Sequence, residues 1–268
     1  MIKTKTLTRL FDSAALLVVI TSIVLVQGCS SGGGSAQADS DPNGFYDAGS
    51  ASVKLSSDNV TDLSISDLQG MVSGNRFMLM SEAETILYDG TITGITGTTF
   101  TGTVNIYEDG DLLPGTTTVA GTINSASSIT GTFTGVGPGN GTFSLTYSLN
   151  NAASDIARID TSWIGNVNGV ANSVRHLISN AGDITHDTNY SPSTPVVAGC
   201  TISTSSTATP VSDVNVYTIS VTLSACTNNT VDGTYTGLAT TLTVIDDELI
   251  LLYSNDLFSV IGILPEET

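Results

Sequence analysis

The sequence predicts an all-β protein: two tandem antiparallel small β-barrels, or two sandwiches, after an apolar leader and a flexible tether. Three observations carry that expectation. Apolar residues alternate with Thr and Ser at period two through much of the chain, which sends successive side chains to opposite faces of a sheet. Hairpin-type turn signals separate these runs at short intervals. No amphipathic segment is long enough for a substantial helix, the most being a short turn within Ala152–Ile159. With 27 glycines and only 12% charged residues, the composition suits sheets and turns and not a disordered chain.

The chain opens with Lys3, Lys5 and Arg9, followed by an apolar run from Ala14 to Val26. That run is short for a membrane span and has the layout of an export signal. Val26-Gln27-Gly28-Cys29 follows. A small residue directly before a Cys at this distance resembles the lipobox of bacterial lipoprotein precursors. The resemblance covers residues 1–29. It implies that residues 1–28 are a lipoprotein signal peptide, cut before Cys29, and that the Cys29 thiol is diacylated. Ser30 after the Cys, where an Asp would signal retention, implies the outer membrane by that family's sorting tendency. Two or three acyl chains give a stable anchor, so the expected location is the cell envelope and the expected membrane contact is the lipid on Cys29. The alternative is an ordinary secretory signal with an incidental Cys.

Residues 29–43 are expected to be the lipidated Cys and a flexible tether, rich in small polar residues, with a root-mean-square reach of about 20 Å. Three of the seven basic residues leave with the signal, keeping Lys54, Arg76, Arg158 and Arg175. Of the 25 acids only Asp12 leaves, so four bases stand against 24 acids, a net charge of about −20. Such a surface repels nucleic acid, which excludes that partner. It attracts a basic protein or cations; solubility alone is the plainer reading.

Residues 44–150 are read as the first β domain. In TFTGTVNIYE, Phe100, Gly102, Val104 and Ile106 share a face, and in GTFSLTYSL so do Phe143, Leu145, Tyr147 and Leu149. Gly74-Asn75, Asp109-Gly110 and Asn140-Gly141 mark hairpins. Met71, Met78 and Met80 flank the first of these and are expected to fill core, with a soft apolar pocket as the alternative. Residues 151–268 are read as the second domain, opening on Ser162-Trp163-Ile164-Gly165. Its clearest strand is NVYTISVTLSA, with Tyr217, Ile219, Val221 and Leu223 on one face.

An aromatic-x-Gly unit recurs at Phe100/Gly102, Phe133/Gly135, Trp163/Gly165 and Tyr235/Gly237. The ring fills the core, and the glycine permits a tight bend or the close approach of another strand. Each half carries about seven or eight strand-like runs, the number of a small up-and-down barrel. On this glycine and aromatic spacing the chain resembles the tandem lipocalin-like or calycin-like barrels of envelope lipoproteins.

In an oxidising envelope, Cys200 and Cys226 most simply form one disulfide, contributing about 3–4 kcal/mol on the chain-entropy model. Cys226 alternates onto the polar face of its strand, so a bulge or an outer-face bridge is required.

Catalytic signatures are missing: there is no GxSxG, HExxH or P-loop. Two constellations are candidate metal sites. Asp39, Asp41, Asn43 and Asp47 match the start of an EF-hand calcium loop, but its twelfth position is Ser50 instead of the bidentate Glu. The alternative is a polar tether ending in a Pro-Asn-Gly turn. In SVRHLISNAGDITHDT, an Asn180-Ala181-Gly182 loop with Gly182 left-handed pairs Ile178 with Ile184 and His176 with His186. Facing imidazoles plus a carboxylate can hold Zn²⁺ or Cu²⁺, or can loosen the hairpin on protonation. The plainer reading is two unrelated surface or rim histidines. Asp246-Asp247-Glu248 is expected to be a solvated turn.

The expected function is therefore a membrane-anchored, non-enzymatic binding or protein-interaction module with no cofactor, meeting an envelope protein. One alternative is a carrier of a small apolar ligand in a barrel cavity. The other is a cell-envelope glycan hydrolase, which needs two carboxylates about 5–10 Å apart in a cleft.

Overall fold

The first half closes on itself. In the computed structural model, which describes residues 38–168, 170–186, 199–242 and 247–267, ten strands precede residue 148. They are β1 (Gly44–Lys54), β2 (Asp62–Ile65), β3 (Gln69–Ser73), β4 (Arg76–Ser81), β5 (Ile86–Thr96), β6 (Thr99–Glu108), β7 (Asp111–Leu112), β8 (Thr117–Asn124), β9 (Ser128–Thr134) and β10 (Gly141–Tyr147). All their pairings are antiparallel, in the order β10-β9-β8-β6-β5-β4-β3-β1, and β1 returns to β10. That makes an eight-strand barrel. Strand β2 continues along β1 beyond β3, and β7 is a short extension on β6.

Among the described residues the second half has nine strands: β11 (Ser162–Val167), β12 (Val170–Ile178), β13 (Ile184–His186), β14 (Thr201–Ile202), β15 (Thr207–Pro210), β16 (Tyr217–Ser224), β17 (Gly233–Leu242), β18 (Glu248–Ser254) and β19 (Ser259–Pro265). Their order is β13-β12-β11-β19-β18-β17-β16-β14, with β15 also on β16. This barrel is nearly closed. A bridge between Asp183 and Thr207 joins its edges, with Ile184 N donating to Ser206 O at 2.9 Å and Ala208 N to Gly182 O at 2.7 Å. Both halves are thus barrels and not sandwiches. Among the described residues there is no α-helix, only 3-10 turns.

The period-two faces fold as the alternation dictates. Phe100, Val104, Ile106, Val119, Phe133, Phe143 and Leu145 are buried within the first barrel. Tyr217, Ile219, Val221, Leu223, Tyr235 and Trp163 are buried in the second. Three of the four aromatic-x-Gly glycines sit where a neighbouring strand's backbone presses close. A Cβ on Gly102, Gly165 or Gly237 would lie 2.4, 2.3 or 1.8 Å from a carbonyl oxygen of the neighbouring strand. Strongly coiled small barrels need such positions.

Three expectations need correction. Leu149 does not join the face of Phe143 and Leu145 but is fully exposed, because β10 ends at Tyr147 and Ser148 turns back to donate its N–H to Phe45 O at 2.9 Å. Asn140-Gly141 is not a two-residue hairpin: Gly137–Gly139 form a buried 3-10 turn under the barrel, and Gly141 already belongs to β10. The short turn expected within Ala152–Ile159 narrows to Ile156–Arg158.

Candidate functional site

Among the described residues, side chains fill the barrel interiors. Aromatic and aliphatic side chains converge in the first, where the rings of Tyr88 and Phe133 stack at 4.8 Å and those of Phe133 and Phe143 at 4.7 Å. The void left between Phe77, Ile92, Phe100 and Leu145 is about 10 Å³, and the one in the second barrel beside His176, Leu223 and Tyr253 is also about 10 Å³. Each has room for a single water at most, far below the roughly 300 Å³ at which ligand pockets begin.

Residues 38–43, expected to finish the tether, are bound to one end of the first barrel. Gly97 N donates to Asp39 Oδ1 at 2.8 Å, Ser40 N to Gly97 O at 2.8 Å, Asp41 N to Ser125 Oγ at 2.9 Å and Gly74 N to Asn43 Oδ1 at 2.7 Å. Asp41 Oδ1 takes the Asn43 N–H at 2.9 Å, and Asp47 is bonded by the Ser148 hydroxyl. The four candidate calcium ligands therefore serve separate donors: Gly97 and Gly74 on two hairpin tips, Asn43 on the same segment, and Ser148 just after β10. Among the described residues no three His, Cys, Asp or Glu side chains gather as metal ligands.

The hairpin register pairs His176 with His186 across β12 and β13, with Gly182 left-handed at φ 84°. His176 is no rim residue: it is buried, on the inner face between Val174 and Ile178, and among the described residues its Nδ1 has no hydrogen-bond partner. Burial, and secondarily the neighbouring His186, lowers its pKa to about 4. His186 is half-buried and accepts the Ile202 N–H on Nδ1 at 3.3 Å. Directly beside them the Cys200–Cys226 disulfide is formed. The awkward alternation of Cys226 is resolved by Ala225, whose left-handed φ of 55° after the end of β16 turns the thiol inward. Cys29 and Asp246 lie outside the described residues.

The sequence reading missed the wall between the barrels. Phe45, Met71, Met78, Met80, Leu87 and Tyr107 point outward from the first barrel and are buried against Val214, Val216, Leu238, Ile250, Leu252 and Ile261 of the second. The three methionines are core filler, but of this shared core. Polar clamps frame it. Arg76 grips Asp89 with two hydrogen bonds of 2.9 and 2.7 Å, and reaches across to Thr236 Oγ1 at 2.8 Å and Thr236 O at 2.9 Å. Tyr107 donates its hydroxyl to Asn255 O, and Leu112 N and Ser259 N bond across to Leu257 O and Gly110 O. The described residues accordingly belong to one compact unit. A signal was available: FMLM, LILLY and VIGIL are unbroken apolar runs, the mark of strands buried on both faces.

A cleft of about 260 Å³ opens at one end of the second barrel. The segment between β10 and β11, residues 148–161, builds it. Asp155 caps the 3-10 turn by accepting Ala157 N at 3.1 Å, Ser154 N ties to Val214 O at 2.8 Å, and Trp163 Nε1 donates to Ile159 O at 3.0 Å. This holds Arg158 and Asp160 over the buried Trp163, opposite Thr241, Asp247 and Glu266. The three carboxyl-bearing residues are exposed at the rim.

No family model matches this chain, and no curated protein does. Among solved structures it is similar to the Aeromonas veronii immune modulator A, at 12% identity and a TM-score of 0.33, over 84% of this chain and 96% of that one.

Proposed function

We propose that the protein is an envelope lipoprotein, anchored through Cys29, whose rigid double barrel is a non-catalytic interaction module that meets its partner on its outer surface. The observation that carries this reading is the filled interior of both barrels, with voids of about 10 Å³ among the described residues. A carrier of an apolar ligand needs an enclosed space some tens of times larger. Recognition then falls to the outside, where four bases face 24 acids in the mature chain and favour a basic partner. Placement at the outer membrane follows the lipobox resemblance and Ser30.

Two measurements test it. Metabolic labelling with a fatty-acid probe is expected to mark the wild type and not Cys29→Ser, which should move to the aqueous fraction; labelling of the variant would refute the anchor. Cross-linking in intact cells is expected to capture a basic envelope protein whose retention falls as salt shortens the Debye length. Saturable uptake of a fluorescent fatty acid into the folded protein would instead favour the carrier. The hydrolase alternative would draw on the cleft carboxylates of Asp160, Asp247 and Glu266, and release of reducing ends from wall glycans is its test.

A further inference from the structure

The mature chain keeps four basic residues, and three of them are spent on ion pairs. Lys54 pairs with Asp62, Arg76 with Asp89 and Arg175 with Glu267. Arg158 is the exception: among the described residues it has no ion pair, and its one hydrogen bond is a long one, to Asn215 Oδ1 at 3.4 Å. Its surroundings are the capped Ile156–Arg158 turn and the buried Asn215, whose amide is fixed by Thr241 O at 2.7 Å. The guanidinium lines the 260 Å³ cleft, half-buried, with most of its five donors uncommitted. Around the same cleft stand Asp160, Asp247 and Glu266, and Trp163 and Ala157 supply apolar surface.

We propose that this cleft binds an amino-acid-like zwitterion with a second ammonium group, its carboxylate on Arg158 and its ammonium groups against Asp160, Asp247 and Glu266. An Arg fork matches a carboxylate in two parallel hydrogen bonds. A simple diamine leaves the guanidinium unanswered and facing like charge, and a simple carboxylic acid meets three repelling carboxylates. Only a molecule carrying both signs satisfies both parts of the lining. The volume suits one such molecule and not a polymer, since drug-sized pockets begin at about 300 Å³. This site stands apart from the partner surface proposed above, and either reading can fail without the other.

Calorimetric titration of the purified full chain with lysine, cadaverine and N-acetylglycine tests it. Lysine is expected to bind, with cadaverine and N-acetylglycine each weaker by about tenfold or more. Arg158→Met should lower lysine affinity by about tenfold with the thermal midpoint retained, and Asp247→Asn by about threefold, a second probe should the first variant fold poorly. Absence of heat from lysine at millimolar concentration overturns the proposal. So does cadaverine binding as tightly as lysine, or undiminished lysine binding by a folded Arg158→Met.

Discussion

His176 shows how much a single side chain can hold. Its imidazole is buried, with no partner at Nδ1 among the described residues, and its pKa falls to about 4 from the ordinary 6.5, first through desolvation and then through His186. The folded state therefore keeps it neutral where the unfolded chain accepts a proton. Stability is complete above pH 6.5 and is lost as pH falls toward 4, by about 2 kcal/mol at pH 5. Urea midpoints at pH 7 and pH 5 should show that loss in the wild type and a smaller one in His176→Leu; equal losses would show that the histidine does not set the slope. The pairing with His186 is legible in the sequence, because Gly182 fixes the loop and the loop fixes the register. The burial is legible too, since the alternation that turns Val174 and Ile178 inward takes His176 with them. The exposure of Leu149 is not, because period two says nothing about where a strand stops.

At the scale of strands, close approach decides which glycines matter. A Cβ on Gly237 would meet Leu252 O at 1.8 Å and Tyr253 Cα at 2.6 Å, both backbone atoms of β18 that cannot step aside. At Gly262 the nearest atom is Leu251 Cβ at 3.5 Å, an ordinary contact. Gly237→Ala is therefore expected to destabilise by about 3 kcal/mol and Gly262→Ala by less than about 1 kcal/mol, read as shifts in denaturation midpoint. On the β14 side of the seam of the second barrel, the disulfide ties Cys200, just before β14, to Cys226, just after β16, across 26 residues. Replacing both cysteines by Ser should cost about 3–4 kcal/mol and first expose the β13–β15 amides to hydrogen exchange. The aromatic-x-Gly units made the coiled sheets legible. They did not distinguish barrel from sandwich, because closure rests on pairings such as Gly49 with Leu145 that lie far apart in the chain.

The two barrels share a core, so the molecule should unfold as one. Arg76 and Asp89 are partly reached by solvent, with side chains 24% and 16% exposed, which moderates the cost of breaking their pair. Arg76→Met should lose about 2 kcal/mol, and adding Met78→Asp, which places a carboxylate in the shared core, should split one thermal transition into two. A single unsplit transition in that double variant would show that the barrels are coupled elsewhere. The division into two comparable halves was legible from composition and turn spacing. How they dock was not, since a contact between Arg76 and Thr236 leaves no local trace, although the unbroken apolar runs of β4, β18 and β19 signalled that a second face was covered.

The strap at residues 38–43 has a mechanical consequence. Force applied through the N-terminal segment arrives first at Asp39, Asp41 and Asn43, whose hydrogen bonds run to Gly97, Ser125 and Gly74 on separate hairpin tips, or hold the turn between them. The load divides among those tips before it reaches β1, which is itself flanked by β10 on one edge and by β3 and β2 on the other. Tension then shears paired strands together instead of peeling one from an edge. Under the anchor proposed at Cys29, tension would enter by this same end, and the strap would be the first part of the fold to bear it.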